Sequence, residues 1–418
     1  MWRTSFGHHP TFNCATRRIA IERLDIQAPT RDAFARQCQS KKNPSMGDTY
    51  ATVKVAAIQA ASVFLDREAS TDKACALIRE AGRNGARIIG LPESFIPAHP
   101  VWYHHHPATS AIANKLSVEL FKNAVEIGTP EQPGPEIAQL CGAAHDANAY
   151  VMIGVCEKMP NTFGTMFNTQ VYIGPDGQLI GKHQKIMPTV GERLVHSGGY
   201  GDTFGAFQTE FGPVSGLICG ENSNPLAIFA LTAEHTRLHV MSWPCHFPVS
   251  GDPLCNRVAI DSQAFAQMTK AFVISACGTV DETLIAKLQP TPDMERFLRS
   301  PDCCGGSMIV SPMSRIIAGP LGPEEGILYA DCDLEQGIQM KLRHDFAGHY
   351  NRPDIFHLEI NRAAPRIYSQ TGADRQAALG QPQMGQPQMG QPVLPTSVGA
   401  PGKQPQRLGE PDGSGSAS

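Results

Sequence analysis

The stretch from Val53 to Leu91 constrains the fold more than any other. Val53–Gln59 reads VKVAAIQ, a near-continuous apolar run of strand length. Ala74, Leu77, Ile78 and Ala81 then recur at i, i+3, i+4 and i+7, the period of a helix with one apolar face. Gly82 and Gly85 are expected to end that helix. Arg87–Leu91 (RIIGL) follows as a second buried strand, with Pro92-Glu93 at its end.

Later strands are expected at Tyr150–Val155, Thr169–Ile173, Val214–Cys219, Leu238–Trp243, Phe272–Ala276, Ser307–Val310 and Ile327–Asp331. Pro175-Asp176-Gly177, between Ile173 and Leu179, is a hairpin signal. The chain therefore combines βαβ units with hairpins, which predicts an α/β fold with a mixed sheet and helices outside. Many strands are apolar at consecutive positions, so both sheet faces should be covered.

Three regions are expected along the 418 residues. Residues 1–47 carry eight Lys or Arg against three acidic residues and no sustained apolar period. They read as a flexible extension, or as the product of an early start codon with Met46 as the true start. A mitochondrial transit peptide is a third reading, against which Glu22, Asp25 and Asp32 count. Residues 48–365 are expected to form the one folded domain. Residues 366–418 are rich in Gly, Pro and Gln, with GQPQM in tandem at Gly380–Met384 and Gly385–Met389, and read as a disordered tail.

A formal net charge of −4 gives no electrostatic case for nucleic acid or an anionic membrane as partner. No apolar run is long enough to span a membrane, and the N-terminus lacks the apolar region of a secretory signal. The twelve cysteines include no CxxC pair and lie mostly in apolar segments, as reduced thiols of a cytoplasmic protein would.

The chemistry centres on Cys219. Gly212–Cys219 is a strand that ends on the cysteine, Gly220-Glu221-Asn222 turns the chain, and a helix begins near Pro225 with Leu226, Phe229, Ala230 and Ala233 on one face. A strand–turn–helix arrangement exposes a nucleophile at a sheet edge, beside backbone N–H groups and a helix N-terminus. A buried structural cysteine is the competing account. Glu93 follows directly on a buried strand, where α/β sheets carry functional groups; a helix cap or a loop charge would also fit. Lys185 ends the hairpin strand before Pro188, and an ordinary solvated strand end would fit it too, with Lys182 as a neighbouring competitor. Together the three make one chemical idea. Glu93 can act as base for the thiol, Lys185 can stabilise a developing anion, and Glu192 can orient the lysine or assist the base.

In that order, Leu91-Pro92-Glu93-Ser94-Phe95, Gly181–Thr189 with Glu192-Arg193, and Cys219-Gly220-Glu221-Asn222 resemble the nitrilase branch of the carbon–nitrogen hydrolase family. The likeness runs from about residue 52 to about 362, including Gly326–Asp331 and Arg352-Pro353-Asp354. The chain is arylacetonitrilase-like in having Gly220 after the cysteine, as some members related to arylacetonitrilases do. The resemblance implies a four-layer αββα sandwich and homo-oligomers, either dimers or larger spirals. It implies Cys219 as nucleophile, Glu93 as proton acceptor, Lys185 as stabiliser of the tetrahedral intermediate and Glu192 in support. It implies no cofactor and no metal, and a nitrile substrate converted to a carboxylic acid and ammonia through a thioimidate and a thioester. An amide-releasing nitrile or cyanide hydratase, an amidase and an inactive scaffold are the alternatives.

Two departures bear on substrate preference. Gly220 stands where many nitrilases carry Trp, and His196–Asp202 (HSGGYGD) replaces a Trp-Gly-x-Gly-Asp-Gly loop. Substrate contacts are expected from Gly220, Trp102, Trp243 and Pro244, with Tyr103 and Phe247 as further wall candidates. His104-His105-His106 is read as a polar loop near the pocket mouth, since three adjacent histidines on a strand cannot all face one ion.

Overall fold

The structure is a computed structural model and describes residues 48–247 and 252–364. The expectations for residues 1–47 and 366–418 lie outside the described residues.

In chain order the elements are β1 (Thr52–Gln59), α1 (Arg67–Arg83), β2 (Ile88–Gly90), α2 (Ala111–Asn123), α3 (Pro135–Ala147), β3 (Tyr150–Lys158), β4 (Met166–Ile173), β5 (Leu179–Gln184), β6 (Phe207–Thr209), β7 (Gly212–Ile218), α4 (Pro225–Ala233), β8 (Leu238–Trp243), α5 (Leu254–Thr269), β9 (Phe272–Cys277), α6 (Glu282–Leu288), α7 (Pro292–Leu298), β10 (Met308–Val310), β11 (Ile316–Ala318), β12 (Gly326–Asp333) and α8 (Glu335–Arg343). The strands form two mixed sheets, as the four-layer sandwich implied by the resemblance requires; the strand pattern by itself gave a mixed sheet without fixing how many. One is ordered β12-β1-β2-β3-β4-β5 and the other β11-β10-β9-β8-β7-β6. Each has a parallel centre, β1-β2-β3 or β7-β8-β9, flanked by antiparallel strands. Strand periodicity alone cannot separate one twelve-stranded sheet from two six-stranded ones, because in both the inner strands are apolar on both faces.

Alternation along the strands assigns the layers. Val53, Val55 and Ala57 of β1 pack with Leu238 and Val240 of β8 and Phe272 and Ile274 of β9, so these faces meet between the sheets. Ala56 and Ile58 of β1 turn the other way, toward Ala74, Ile78 and Ala81 of α1 and Ile137, Leu140 and Ala144 of α3. On the second sheet Met241, Trp243 and Val273 face Ala227 and Leu231 of α4 and Val258 and Phe265 of α5. The result is helix, sheet, sheet, helix, with the core in three apolar layers.

The βαβ unit forms as its sequence predicts, with one correction. Gly82 does not end α1; it lies inside it, and a Cβ there would fall 2.4 Å from that of Ala147, so glycine lets α1 and α3 approach. Gly85, at φ +85°, makes the turn into β2. Both sheets send the carboxyl ends of their parallel strands toward the same loops: β2 runs out at Gly90, β7 at Ile218 and β8 at Trp243.

Candidate active site

Glu93 sits three residues beyond β2. Its backbone N–H donates to the Trp243 carbonyl at 3.1 Å, which ties the end of one sheet to the end of the other. Gly154 of β3 lets this segment lie close: a Cβ there would be 2.4 Å from the Pro92 oxygen and 2.7 Å from Glu93 Cα. Lys185 continues β5 by one residue, its N–H donating to the Asn168 carbonyl at 2.8 Å. Glu192 lies in the 3-10 turn Val190–Leu194 and closes a capping box with Thr189, accepting the Thr189 N–H at 2.9 Å.

These side chains meet in a buried charge cluster. Lys185 Nζ donates to Glu93 Oε1 and to Glu192 Oε2, both at 2.7 Å. Asn168 Nδ2 donates to Glu93 Oε1 and Glu192 Oε1, both at 2.6 Å. Lys185 is 1% exposed, Glu93 2% and Glu192 3%, so the lysine stays buried because two carboxylates surround its ammonium.

The two carboxylates are not equivalent. Burial pushes the Glu93 carboxyl up to about 7, against the pull of Lys185 and with the push of Glu192. Burial acts on Glu192 in the same sense, but Lys185 and the hydrogen bond to His196 outweigh it and hold Glu192 well below the usual carboxylate range. Burial alone would depress Lys185; Glu192 and Glu93 keep it firmly protonated. Glu93 Oε2 has no hydrogen-bond partner among the described residues, which leaves one oxygen of the more basic carboxylate for a proton.

Cys219 begins the 3-10 turn Cys219–Ser223 immediately after β7, with a left-handed backbone at φ +52°. The strand ends one residue sooner than Val214–Cys219 predicts, because the cysteine is the turn itself. A non-glycine residue held in this region at a strand-to-helix elbow is backbone strain of the kind found at nucleophiles. Burial raises the thiol well above its ordinary value; Glu93 and Glu192 add to this, while Lys185 opposes it. The resting group is therefore a neutral thiol within the electrostatic reach of both carboxylates and the lysine.

Glu221 holds the elbow to the lysine. Its carboxylate accepts the Ile186 N–H at 2.6 Å and the Ile218 N–H at 3.1 Å, and pairs with His183 Nε2 at 3.0 Å. Asn222 Nδ2 donates to the Cys219 and Leu217 carbonyls at 2.9 and 3.3 Å. Both residues stand in the motif after the cysteine, yet nothing in the sequence alone gives them these partners. Asn168, Gln170 and Thr169, polar residues in a wholly buried strand, were the available signal for Asn168.

The expected wall residues separate. Gly220 is exposed beside the cysteine, and among the described residues a Cβ there would meet only Thr189 Oγ1, at 3.7 Å. Trp243 and Pro244 are buried at the end of β8, the Trp243 Nε1 without a partner among the described residues. Trp102 is fully buried against Phe64 and Tyr103, its indole N–H donating to Ser117 Oγ at 3.2 Å. The three histidines diverge: His105 bonds His246 at 2.8 Å, His106 bonds the Leu288 carbonyl at 2.7 Å, and His104 stacks edge-on to Phe247. His99, which the sequence pattern did not single out, lies 3.7 Å from Glu93 Oε1, and burial brings its pKa down to about 3, so it is neutral there.

Comparisons with known proteins bear on this arrangement. A family profile described as carbon-nitrogen hydrolase matches residues 54–342. An aliphatic nitrilase of Sinorhizobium fredii (strain HH103) is 35% identical over 314 residues, covering 74% of this chain and 95% of that protein. An arylacetonitrilase of Aspergillus kawachii (strain NBRC 4308) is 31% identical over 327 residues, covering 77% and 95%. Among solved structures, Saccharomyces cerevisiae Nit3, a member of branch 10 of the nitrilase superfamily, superposes with a TM-score of 0.55 at 20% identity, covering 74% of this chain and all of that one.

Proposed function

The chain belongs to the carbon–nitrogen hydrolase family, in its nitrilase branch, and from that premise we propose that it hydrolyses an organic nitrile to the carboxylic acid and ammonia at Cys219. The observation that carries the assignment of roles is the Glu93–Lys185–Glu192 cluster acting electrically on a buried thiol at a strained elbow.

Glu93 takes the Cys219 proton as sulfur attacks the nitrile carbon, and the nitrile nitrogen is protonated to give a thioimidate. Water, its proton also drawn to Glu93, adds to the thioimidate carbon. Lys185 stabilises the tetrahedral intermediate through its positive charge, and Glu192 with Asn168 holds that ammonium in place. Protonated nitrogen leaves as ammonia, and the remaining thioester is hydrolysed by a second water to the acid and free thiol. If the intermediate expels sulfur instead of ammonia, the product is the amide. Gly220 leaves room beside the sulfur for a bulky nitrile substituent, and Trp243 with Pro244 forms the adjoining wall. The unpaired thiols, ten among the described residues, support a reducing, cytoplasmic setting, and the family supports a homo-oligomer.

The test is a panel of arylaceto-, aromatic and aliphatic nitriles and cyanide, scoring ammonia, acid and amide together, with Cys219→Ala as control. Ammonia release that survives Cys219→Ala, or a wild-type protein that forms neither product nor a covalent adduct on Cys219, refutes the reading.

A further inference from the structure

At the other end of the second sheet, where β8 and β9 begin, lies a cavity of about 250 Å³. Cys219 follows the carboxyl end of β7; the cavity is separated from that edge by the six residues of β8, about 20 Å at strand rise. Arg237, Lys270 and Lys341 line it, with Tyr50, Thr236 and Phe272, and among the described residues no acidic side chain does.

The three cations arrive from separate elements: the turn before β8, the end of α5, and α8. Each is only partly matched. Arg237 donates to the Phe211 carbonyl at 3.2 Å and lies 5.6 Å from the Tyr50 ring centroid. Lys270 is buried with a left-handed backbone at φ +61°, and its ammonium donates to the Gln267 carbonyl. Lys341 Nζ is shielded from solvent without a hydrogen bond among the described residues, and its nearest recorded counter-charge is Asp345 at 3.5 Å. Burial and the charge of Lys341 both lower the Lys270 pKa, the sign of two ammonium groups close enough to repel. An anion between them relieves that repulsion, and Tyr50, Phe272 and Ile338 offer it an apolar flank.

Thr236 connects this cavity to the elbow. Asn222 uses its amide N–H groups on the Leu217 and Cys219 carbonyls, so its oxygen accepts from His239 Nε2 at 2.9 Å. Burial keeps His239 neutral, so its Nδ1 accepts the Ser215 hydroxyl at 2.8 Å. Ser215 Oγ, its own proton given to His239, in turn accepts from Thr236 Oγ1 at 2.7 Å, and the same Thr236 hydroxyl also reaches the Leu238 carbonyl at 3.2 Å. All four side chains are buried, and the chain of donors runs one way, from the cavity wall to the Cys219 carbonyl.

We propose that this cavity binds a small organic carboxylate, its charge among Arg237, Lys270 and Lys341 and its apolar flank on Tyr50 and Phe272, and that occupancy is felt at Cys219 through Thr236. The product of the reaction proposed above is of this chemical class, but the site rests on the cavity and stands or falls apart from that reading.

Calorimetric titration of the full chain with phenylacetate, and with phenylacetamide as the uncharged match, tests the site. Phenylacetate is expected to bind the wild type roughly tenfold or more tightly than Lys341→Gln or Arg237→Gln, with Lys341→Arg restoring binding, and phenylacetamide to bind more weakly than phenylacetate. Two charge variants keep the test open if one fails to fold. Equal phenylacetate affinity in wild type and both variants, or phenylacetamide as tight as phenylacetate, overturns the site. Alkylation of Cys219 by iodoacetamide, with and without phenylacetate, tests the link: its rate should change by about twofold or more. The part of that change lost in Lys341→Gln should also be lost in Ser215→Ala, or in Thr236→Val if that protein does not fold. A response that Lys341→Gln removes and both hydroxyl variants keep overturns the link.

Discussion

Glu221 accepts the backbone N–H of Ile186 at 2.6 Å. The residue two places after the proposed nucleophile thus fixes the residue one place after the proposed stabilising lysine, and β5 of one sheet is registered against β7 of the other. Glutamine cannot accept all the donors that meet this carboxylate. Glu221→Gln is expected to lose about 1–3 kcal/mol of stability in urea unfolding. Because misplacement of the lysine reaches the reaction, kcat should fall about tenfold or more while KM stays nearly level. A proportional rise in KM with kcat unchanged would refute the positioning role.

The acid limb of activity should report Glu93. This carboxyl must be ionised to take a proton, and burial has raised it to about 7, so kcat/KM is expected to rise as pH increases through about 7 and to fall away below it. Glu192, held low beside Lys185 and His196, contributes no limb in that range. A pH profile flat from 5.5 to 8.5 on a substrate whose chemistry is rate-limiting contradicts the assignment; those bounds are about 1.5 units either side of the expected midpoint.

Removing the ammonium between two buried carboxylates should be costly. Lys185→Ala is expected to destabilise by about 3–5 kcal/mol near neutral pH. The loss should shrink as pH falls, because protonating either carboxyl ends their repulsion. Urea unfolding at pH 5 and pH 8 measures this, and a cost that grows toward pH 5 would have the wrong sign.

Gly220 should set the size of the substrate's substituent. With only Thr189 Oγ1 within reach of a Cβ among the described residues, the glycine leaves space beside Cys219. Gly220→Trp is expected to lower the ratio of phenylacetonitrile to short aliphatic nitrile turnover. An unchanged ratio would move the selectivity determinant elsewhere.

Gly154 should matter although it has no side chain of its own to place in the site. A Cβ there collides with the backbone of Pro92, Glu93 and Ser94. Gly154→Ala is expected to cost about 1–3 kcal/mol. It should also reduce kcat by displacing Glu93, read by comparing melting and turnover of the same preparation.

The sequence was most readable where one residue's neighbours along the chain decide its fate. The periods that place α1, the hairpin at Pro175-Asp176-Gly177 and the turn after β7 are all local, and each element formed within a few residues of expectation. Glu93, Lys185 and Glu192 were legible as a set because charged residues at the ends of apolar strands are expensive unless they meet. What was not legible depended on contacts between distant segments. The two sheets followed from the motif resemblance and not from strand periodicity; that Gly82 is a notch and not a stop, and that Asn168 bridges both carboxylates, are facts of packing between segments far apart in sequence. Trp102 illustrates the same limit: an aromatic residue beside a polar loop reads equally as pocket lining or core, and its bond to Ser117 decides where its indole N–H goes.

The pairing of β1 with β12 has a consequence for synthesis. Thr52 lies opposite Asp333 and Gln59 opposite Gly326, so β1, once made, acquires this neighbour only after some 280 further residues. At ordinary translation speeds of roughly 5–20 residues per second, that edge waits about 15–55 s with its backbone groups unclaimed. The nascent chain must be kept from pairing with another copy for that whole interval, which makes the yield of this protein more sensitive to translation rate and chaperone supply than its finished stability would suggest.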